Sequence, residues 1–282
     1  EIDRILALLP STLERGPTTR YLEAARAWSS DERFAVTLFH AAADAAERAG
    51  DQELEVLARW RIVQFEDLDL PGGAPPSPAL EELARAGVPL ARSVLAFLRS
   101  RRAQTDGDAE ASVRCLGDLD EFDADQRGNA YAIRMIDLGR PEAVPATLET
   151  VLSSGLGDIY HAQAVWLQGM ADPGTAWLVA APIVDRVHGA SVTLRASTLS
   201  VLTSIALAAG DVAAAVELAE QARREAPLGP RTVALFADVA DVQVRLVVDG
   251  EAAAVQRATE LLERIPIGNW PERPYLYLLC FL

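Results

Sequence analysis

The sequence predicts an all-α fold in which helical hairpins stack on one another, and three observations lead to that prediction. Apolar and Ala residues recur at three- and four-residue spacing almost throughout, whereas the alternation typical of strands is rare. Turn signals containing Gly and Asp separate these stretches. In one stretch, Gly210 and Asp211 are followed by Ala215, Ala219 and Ala222, a pattern typical of the turn and second helix of a two-helix repeat.

Helical periodicity defines the elements in order along the chain. The predicted helices are 20–29, 33–49, 52–67, 89–105, 109–122, 127–138, 142–153, 158–170, 175–187, 192–209, 212–225, 231–248 and 251–264. A Pro- and Gly-rich stretch at 71–78 predicts an insertion loop, and 266–282 is predicted to be a C-terminal segment after the last repeat. We expect residues 1–282 to form a single helical-repeat domain, a fragment of a larger protein, because the chain lacks an initiator Met and ends in an apolar run.

The turns between hairpins recur at a rough period. They begin at Gly107, Gly139, Ala171, Gly210 and Gly250, at intervals of 32, 32, 39 and 40 residues. Gly50 lies 57 residues before Gly107, and the insertion loop 71–78 falls in that interval. Periods of this length are typical of helical solenoids, in which each repeat contacts only its neighbours. A generic Ala-rich helical bundle is the alternative, and the recurring turns favour the array over it.

The turn at Gly210 also has a direct physical interpretation. Gly permits a positive φ at the end of a helix, and Asp211 can cap the helix that follows. Ala215, Ala219 and Ala222 are spaced four and then three residues apart, so they lie on one helix face. Because Ala has little bulk, a neighbouring helix can pack closely against this face, which we therefore expect to be buried.

On these residues the chain resembles the tetratricopeptide-repeat family. In the clearest unit, the first-helix positions hold Leu199, Leu202, Thr203 and Ala206, and the second-helix positions hold Ala215, Ala219, Ala222 and Pro227. The preceding unit offers Tyr160, Ala164, Leu167, Ala176, Ala180 and Ile183. Thr203 and Ala206 depart from the residues usual in the family, and Pro145 falls within a second helix, so the array is degenerate. The resemblance covers roughly residues 20–265 and implies a right-handed α-α superhelix, a degenerate tetratricopeptide-like solenoid.

Composition excludes several classes of function. All 26 basic residues are Arg, so neither a phosphate-loop Lys nor a Schiff-base Lys exists in these residues. A net charge of −15 opposes binding to a nucleic-acid backbone, which requires clustered cations. The apolar runs are too short and too interrupted to span a bilayer. Two Cys residues suggest neither a disulfide framework nor a zinc site, and a reducing cytoplasm fits best.

Signatures of catalysis and metal binding are missing from the sequence. His40, His161 and His188 stand apart from other ligand-type residues. The acidic run 118–125 fails as a calcium loop, because an EF-hand register starting at Asp123 places Arg134 where a bidentate carboxylate is needed. We therefore expect no enzyme activity, cofactor or metal. Trp60, which lies between two Arg residues on a predicted helix, is expected to be partly exposed.

The resemblance implies that partners bind in a concave groove lined by the first helices. The groove positions carried over onto this chain are Arg101, Gln104, Gln126, Asn129, Asp158, His161 and Gln168. The same positions in the clearest unit are Ser197, Ser200 and Ser204. This lining is polar and weakly charged. It predicts a protein or peptide partner, or self-association, without direct contact to nucleic acid or membrane, although a merely solvated concave face remains the alternative.

The Arg-only, Ala-rich style and the degenerate array also resemble the helical segments of large bacterial ATP-dependent transcriptional regulators of the LuxR and MalT type. That resemblance implies a sensory or protein-interaction scaffold, with nucleotide and DNA binding performed by other modules. Two alternatives stay open. The chain could be a scaffold attached to a peptidase or kinase module, or a small-molecule receptor with a pocket between repeats.

Overall fold

The computed structural model describes residues 16–69, 74–75, 77–106, 108–118, 173–187 and 191–264. Within these residues the regular secondary structure is entirely helical. The α-helices are α1 Pro17–Trp28, α2 Glu32–Ala49, α3 Gln52–Asp69, α4 Pro78–Arg85, α5 Pro89–Thr105, α6 Ala109–Cys115, α7 Pro173–Ala180, α8 Ile183–Arg186, α9 Val192–Ala208, α10 Val212–Glu225, α11 Arg231–Val248 and α12 Glu251–Arg264. Short 3₁₀ turns follow α6 and α10, at Leu116–Asp118 and Ala226–Leu228.

The all-α prediction is confirmed, and most described helices begin and end close to their predicted residues. Helix α4 is an exception that the sequence analysis missed, because it begins at the last residue of the predicted insertion loop, Pro78. The predicted helix 175–187 is divided into α7 and α8 by a turn. The predicted helices 127–138, 142–153 and 158–170, and the C-terminal segment 266–282, lie outside the described residues.

The Gly–Asp turns form the helix ends that the sequence predicts. Gly50 and Gly210 follow α2 and α9 with φ values of 71° and 82°. Asp51 and Asp211 each accept a hydrogen bond of 3.1 Å from the backbone N–H three residues further on. Each pair therefore ends one helix and caps the next, which folds the chain back into an antiparallel hairpin.

The Ala stripe of α10 is buried, as predicted. Ala215, Ala219 and Ala222 are all at most 3% exposed. Two of them belong to an apolar cluster with Leu202 and Ile205 of α9, so the small residues let the two helices approach closely. The expectation that Trp60 is partly exposed is wrong, because the residue is 4% exposed and belongs to a separate buried cluster.

The described helices fall into two groups that are distant in sequence. We call α1–α6 the amino-terminal group and α7–α12 the carboxyl-terminal group. They touch at a set of contacts, named here the junction, that joins the starts of α9 and α11 to the start of α2 and the end of α3. The junction contacts include pairs about 160 residues apart, such as Glu32 with Thr193. A strictly linear stack of nearest neighbours does not predict such contacts.

Candidate functional site

The predicted groove residue Arg101 lies on α5 in an ion pair. Its Nε donates to Asp67 Oδ2 of α3 at 2.6 Å, and the two side chains are only 16% and 9% exposed. The guanidinium therefore joins two helices rather than facing an open groove. The side chain of Gln104 lies outside the described residues, as do Gln126, Asn129, Asp158, His161 and Gln168.

Two of the three Ser residues predicted in the clearest repeat unit, Ser200 and Ser204, do not line an open groove either. Ser200 is buried and donates to the carbonyl oxygen of Ala196 on its own helix at 2.8 Å. Ser204 donates to Gln243 Oε1 of α11 at 2.7 Å. This face of α9 packs against α11, so the expectation of a solvated polar lining is corrected for these two residues.

A different surface, the cleft bounded by α10, α11 and α12, is a candidate site in the described part of the chain. Its volume is about 400 Å³. Charged side chains dominate its lining, namely Arg223, Asp241, Arg245, Arg257 and Glu260. The Gly250 turn places α12 beside α11, and α10 also packs against α11. The three helices together bring these residues into one cleft.

Asp241 is the centre of this charge network. Its Oδ1 accepts a hydrogen bond from Arg223 at 3.4 Å, and its Oδ2 accepts from Arg245 Nε at 3.1 Å and from Arg257 Nε at 3.2 Å. The carboxylate is only 10% exposed. A buried carboxylate is tolerated when it is paired and hydrogen-bonded, and here three guanidinium groups from three helices supply those partners.

The three arginines of the network differ in how fully they are occupied. Arg257 also donates to Asp238 at 2.6 Å and to Glu260 at 3.5 Å, and it is 16% exposed. Arg223 and Arg245 each make one hydrogen bond, to Asp241, and they are 48% and 39% exposed. Arg245 also forms a looser ion pair with Asp249 at 3.8 Å. Arg257 thus belongs to the framework, whereas Arg223 and Arg245 are partly exposed to solvent.

Electrostatics fix the charge state of this site. The hydrogen bond and the negative charge of Asp241 raise the pKa of Arg245 above its ordinary value, so this guanidinium stays protonated. A guanidinium is a donor only, with five N–H groups in a planar fork that fits carboxylate and phosphate oxygens. The exposed side of the cleft is therefore suited to binding an anionic oxygen group.

Sequence reasoning missed this cleft, although one signal pointed towards it. Asp241 stands between the buried residues Ala240 and Val242 in an apolar stretch of α11, and Arg245 follows four residues later. An acidic residue at a buried position requires a charged partner. The other two partners, Arg223 and Arg257, come from neighbouring helices and carry no local signature of the pairing.

Two further findings bear on how the site is interpreted. No helix among the described residues combines the length and the apolar character that crossing a bilayer requires. No protein-family model, curated protein or solved structure matches the chain. The interpretation of the cleft therefore depends on its own geometry and charge.

Proposed function

We propose that this chain is a protein-interaction scaffold that binds an acidic segment of a protein or peptide partner in the cleft between α10, α11 and α12. The observation that carries the proposal is the pair of partly exposed guanidinium groups, Arg223 and Arg245, which both donate hydrogen bonds to the buried carboxylate of Asp241. Because Asp241 orients both groups before any ligand arrives, little side-chain entropy is lost when an anion binds.

The charge around the cleft favours a carboxylate over a phosphate-rich ligand. Asp238 and Glu260 flank the arginines, and the whole chain carries a net charge of −15. A singly charged carboxylate experiences less repulsion in this field than a phosphate dianion or a nucleic-acid backbone. An Asp or Glu side chain, or a chain terminus, therefore fits the site best.

The shape and lining of the cleft favour a peptide over a small molecule. A volume of about 400 Å³ lies within the range of small-molecule pockets, but such pockets are mostly apolar and enclose their ligands. This cleft is lined chiefly by charged side chains and opens to solvent. A peptide can contribute one charged group to the arginines while the rest of its length stays outside.

The wider setting is also part of the proposal. The likeness to the arrays of large bacterial regulators supports a scaffold that works in the cytoplasm beside separate nucleotide- and DNA-binding modules. In that setting, the partner segment would be the signal that the array reports to its neighbours.

A peptide selection tests this function directly. A random peptide library displayed on phage is selected against the full chain, and enriched peptides are resynthesised for fluorescence anisotropy. We expect enrichment of Asp and Glu, and affinity at least about tenfold weaker for the Arg223→Gln/Arg245→Gln variant, since each lost hydrogen bond between charged groups contributes about 1.5–3 kcal/mol.

Arg224→Gln is the matched control for that experiment. Arg224 is exposed, lies beside Arg223 on α10 and is not part of the cleft lining. The control removes one positive charge from the same helix turn and is expected to leave affinity unchanged. Failure to enrich any peptide would refute the scaffold function. Peptides that bind the double variant as tightly as the original chain would refute the cleft as their site.

A further inference from the structure

Among the described residues, the two helical groups have separate buried apolar clusters. Every buried apolar cluster described in the structure takes its members from one group alone, either from residues 24–116 or from residues 176–261. The specific contacts described between the groups at the junction are instead hydrogen bonds. Among the described residues, the clustered apolar burial therefore lies within each group, and the specific contacts between the groups are polar.

Glu32 forms the first half of the junction. It is the first residue of α2 and is 0% exposed. Its Oε1 accepts a hydrogen bond of 2.9 Å from the backbone N–H of Thr193, and its Oε2 accepts one from the Thr193 hydroxyl. Thr193 lies in the first turn of α9, where backbone N–H groups have no partner within the helix. Glu32 thus caps a helix of the other group.

Asp69 forms the second half in the same way. It is the last residue of α3, and its Oδ1 accepts a hydrogen bond of 2.9 Å from the backbone N–H of Arg231, the first residue of α11. The hydroxyl of the next residue, Thr232, donates to the carbonyl oxygen of Leu68 at 2.5 Å. Two acidic side chains of the amino-terminal group therefore cap two helices of the carboxyl-terminal group.

Two arginines cross the junction between these caps. Arg33 donates to Asp69 Oδ1 at 2.7 Å and to the carbonyl oxygen of Gly229 at 3.1 Å. Arg195 donates to the carbonyl oxygen of Ser29 at 3.0 Å and to Glu225 at 2.7 Å. Arg33 thus connects Asp69 to the turn before α11, and Arg195 connects Glu225 to the turn before α2.

We propose that the junction is a separable contact, in which the Glu32 and Asp69 caps break and form together while each helical group keeps its own core intact. The chain then has a closed arrangement, the one described here, and an open arrangement in which α9 and α11 lose their caps. The separable junction follows from the separation of the buried clusters among the described residues and from the polar character of the contacts between the two groups.

Burial of the Glu32 carboxylate is unfavourable, so we expect the junction to open more readily than the apolar clusters unfold. Burial raises the pKa of the Glu32 carboxyl, because removing a carboxylate from water disfavours its charged form. Hydrogen bonds from Thr193 and the nearby charge of Arg195 oppose that effect only in part. A contact between two polar surfaces with one poorly solvated charge holds the groups together weakly compared with their apolar interiors.

Amide hydrogen exchange measured by NMR on the full chain tests the proposal. The backbone N–H groups of Thr193 and Arg231 owe their protection to the junction, whereas that of Leu202 lies inside α9. We expect Thr193 and Arg231 to exchange at similar rates, and faster than Leu202. Glu32→Ala is expected to accelerate exchange at Thr193 and Arg231 by at least about tenfold and to leave Leu202 unchanged.

Two other variants complete the test. Asp51→Ala removes the cap of α3 at the end far from the junction, so it should leave Thr193 and Arg231 unchanged. Thr193→Val removes only the hydroxyl donor to Glu32 and gives a milder change if Glu32→Ala fails to fold. Acceleration at Thr193 without Arg231 would show that the caps do not move together. Equal acceleration at Leu202 would show that the junction opens only when the group unfolds. Either result overturns the proposal.

Discussion

Replacement of Gly210 by Ala isolates the energetic contribution of one backbone conformation. Gly210 ends α9 with a φ of +82°, and a Cβ atom added there would meet no other atom within 4 Å. The substitution therefore introduces no packing clash. Its effect is the cost of a left-handed backbone for a residue with a side chain, about 1–2 kcal/mol of unfolding free energy. For a domain of this size class, that loss lowers Tm by roughly 2–8 °C.

Urea denaturation followed by circular dichroism measures the change. Gly210→Asn should restore part of the loss, because Asn enters the left-handed region more easily than Ala. Gly229→Ala is a control that changes packing without imposing a left-handed backbone. Gly229 has a φ of −103°, and an added Cβ would lie 3.3 Å from Val192 Cγ1. Wild-type stability in Gly210→Ala, or an Asn variant no better than the Ala variant, would refute the reasoning.

Three further measurements test the core, the network and the buried acid. Leu202→Ala should lower the unfolding free energy by about 2–5 kcal/mol, because Leu202 is fully buried. The same change at Leu178, which is 76% exposed, should alter the unfolding free energy by less than about 0.5 kcal/mol. Equal losses at the two positions would contradict the core assignment. Asp241→Ala should cost about 3 kcal/mol in urea denaturation, because three guanidinium groups lose their shared carboxylate. Asp249→Ala, which loses only an exposed contact of 3.8 Å, should cost at most about 1 kcal/mol, and similar losses at both positions would count against the network. Burial raises the pKa of the Glu32 carboxyl above its ordinary value of 4.5. The stabilisation from this raised pKa is therefore fully present below pH 4.5 and is lost as the pH rises through the raised pKa. Glu32→Gln should gain stability relative to wild type across that pH window, and a difference in unfolding free energy that does not change with pH would exclude this linkage.

The helices were largely predictable because their signals are local. Gly210 and Asp211 specify a helix end and a cap by their own chemistry, and the Ala spacing on α10 specifies which face is buried. Helix α4 was missed because the Pro-rich loop before it obscured a short helix that buries only two apolar residues, Leu80 and Leu83. A helix of 8 residues, about two turns, with only two buried apolar residues gives too little periodicity to separate it from a loop.

The candidate site was not predictable in the same way because its pairings are tertiary. Asp241 receives Arg223 from 18 residues before it and Arg257 from 16 residues after it, and only the packing of α10, α11 and α12 brings them together. Arg101 shows that tertiary pairing can also remove a side chain from a predicted site. It was predicted to face a groove, but Asp67, 34 residues earlier in the chain, pairs with it instead. A repeat pattern therefore predicts which helices exist better than which charges remain free.

The separation between Glu32 and Thr193 has a consequence for the order of folding. The hydrogen bond between them closes a loop of 161 residues, and the chain entropy lost in closing it grows with the logarithm of that length, to about 4.5 kcal/mol. The hairpins on either side form from contacts close in sequence and need no such closure. Each helical group is therefore expected to fold first and the two to dock last. Pulse-labelled exchange during refolding should accordingly protect Leu202 before Thr193, and simultaneous protection would argue against this order.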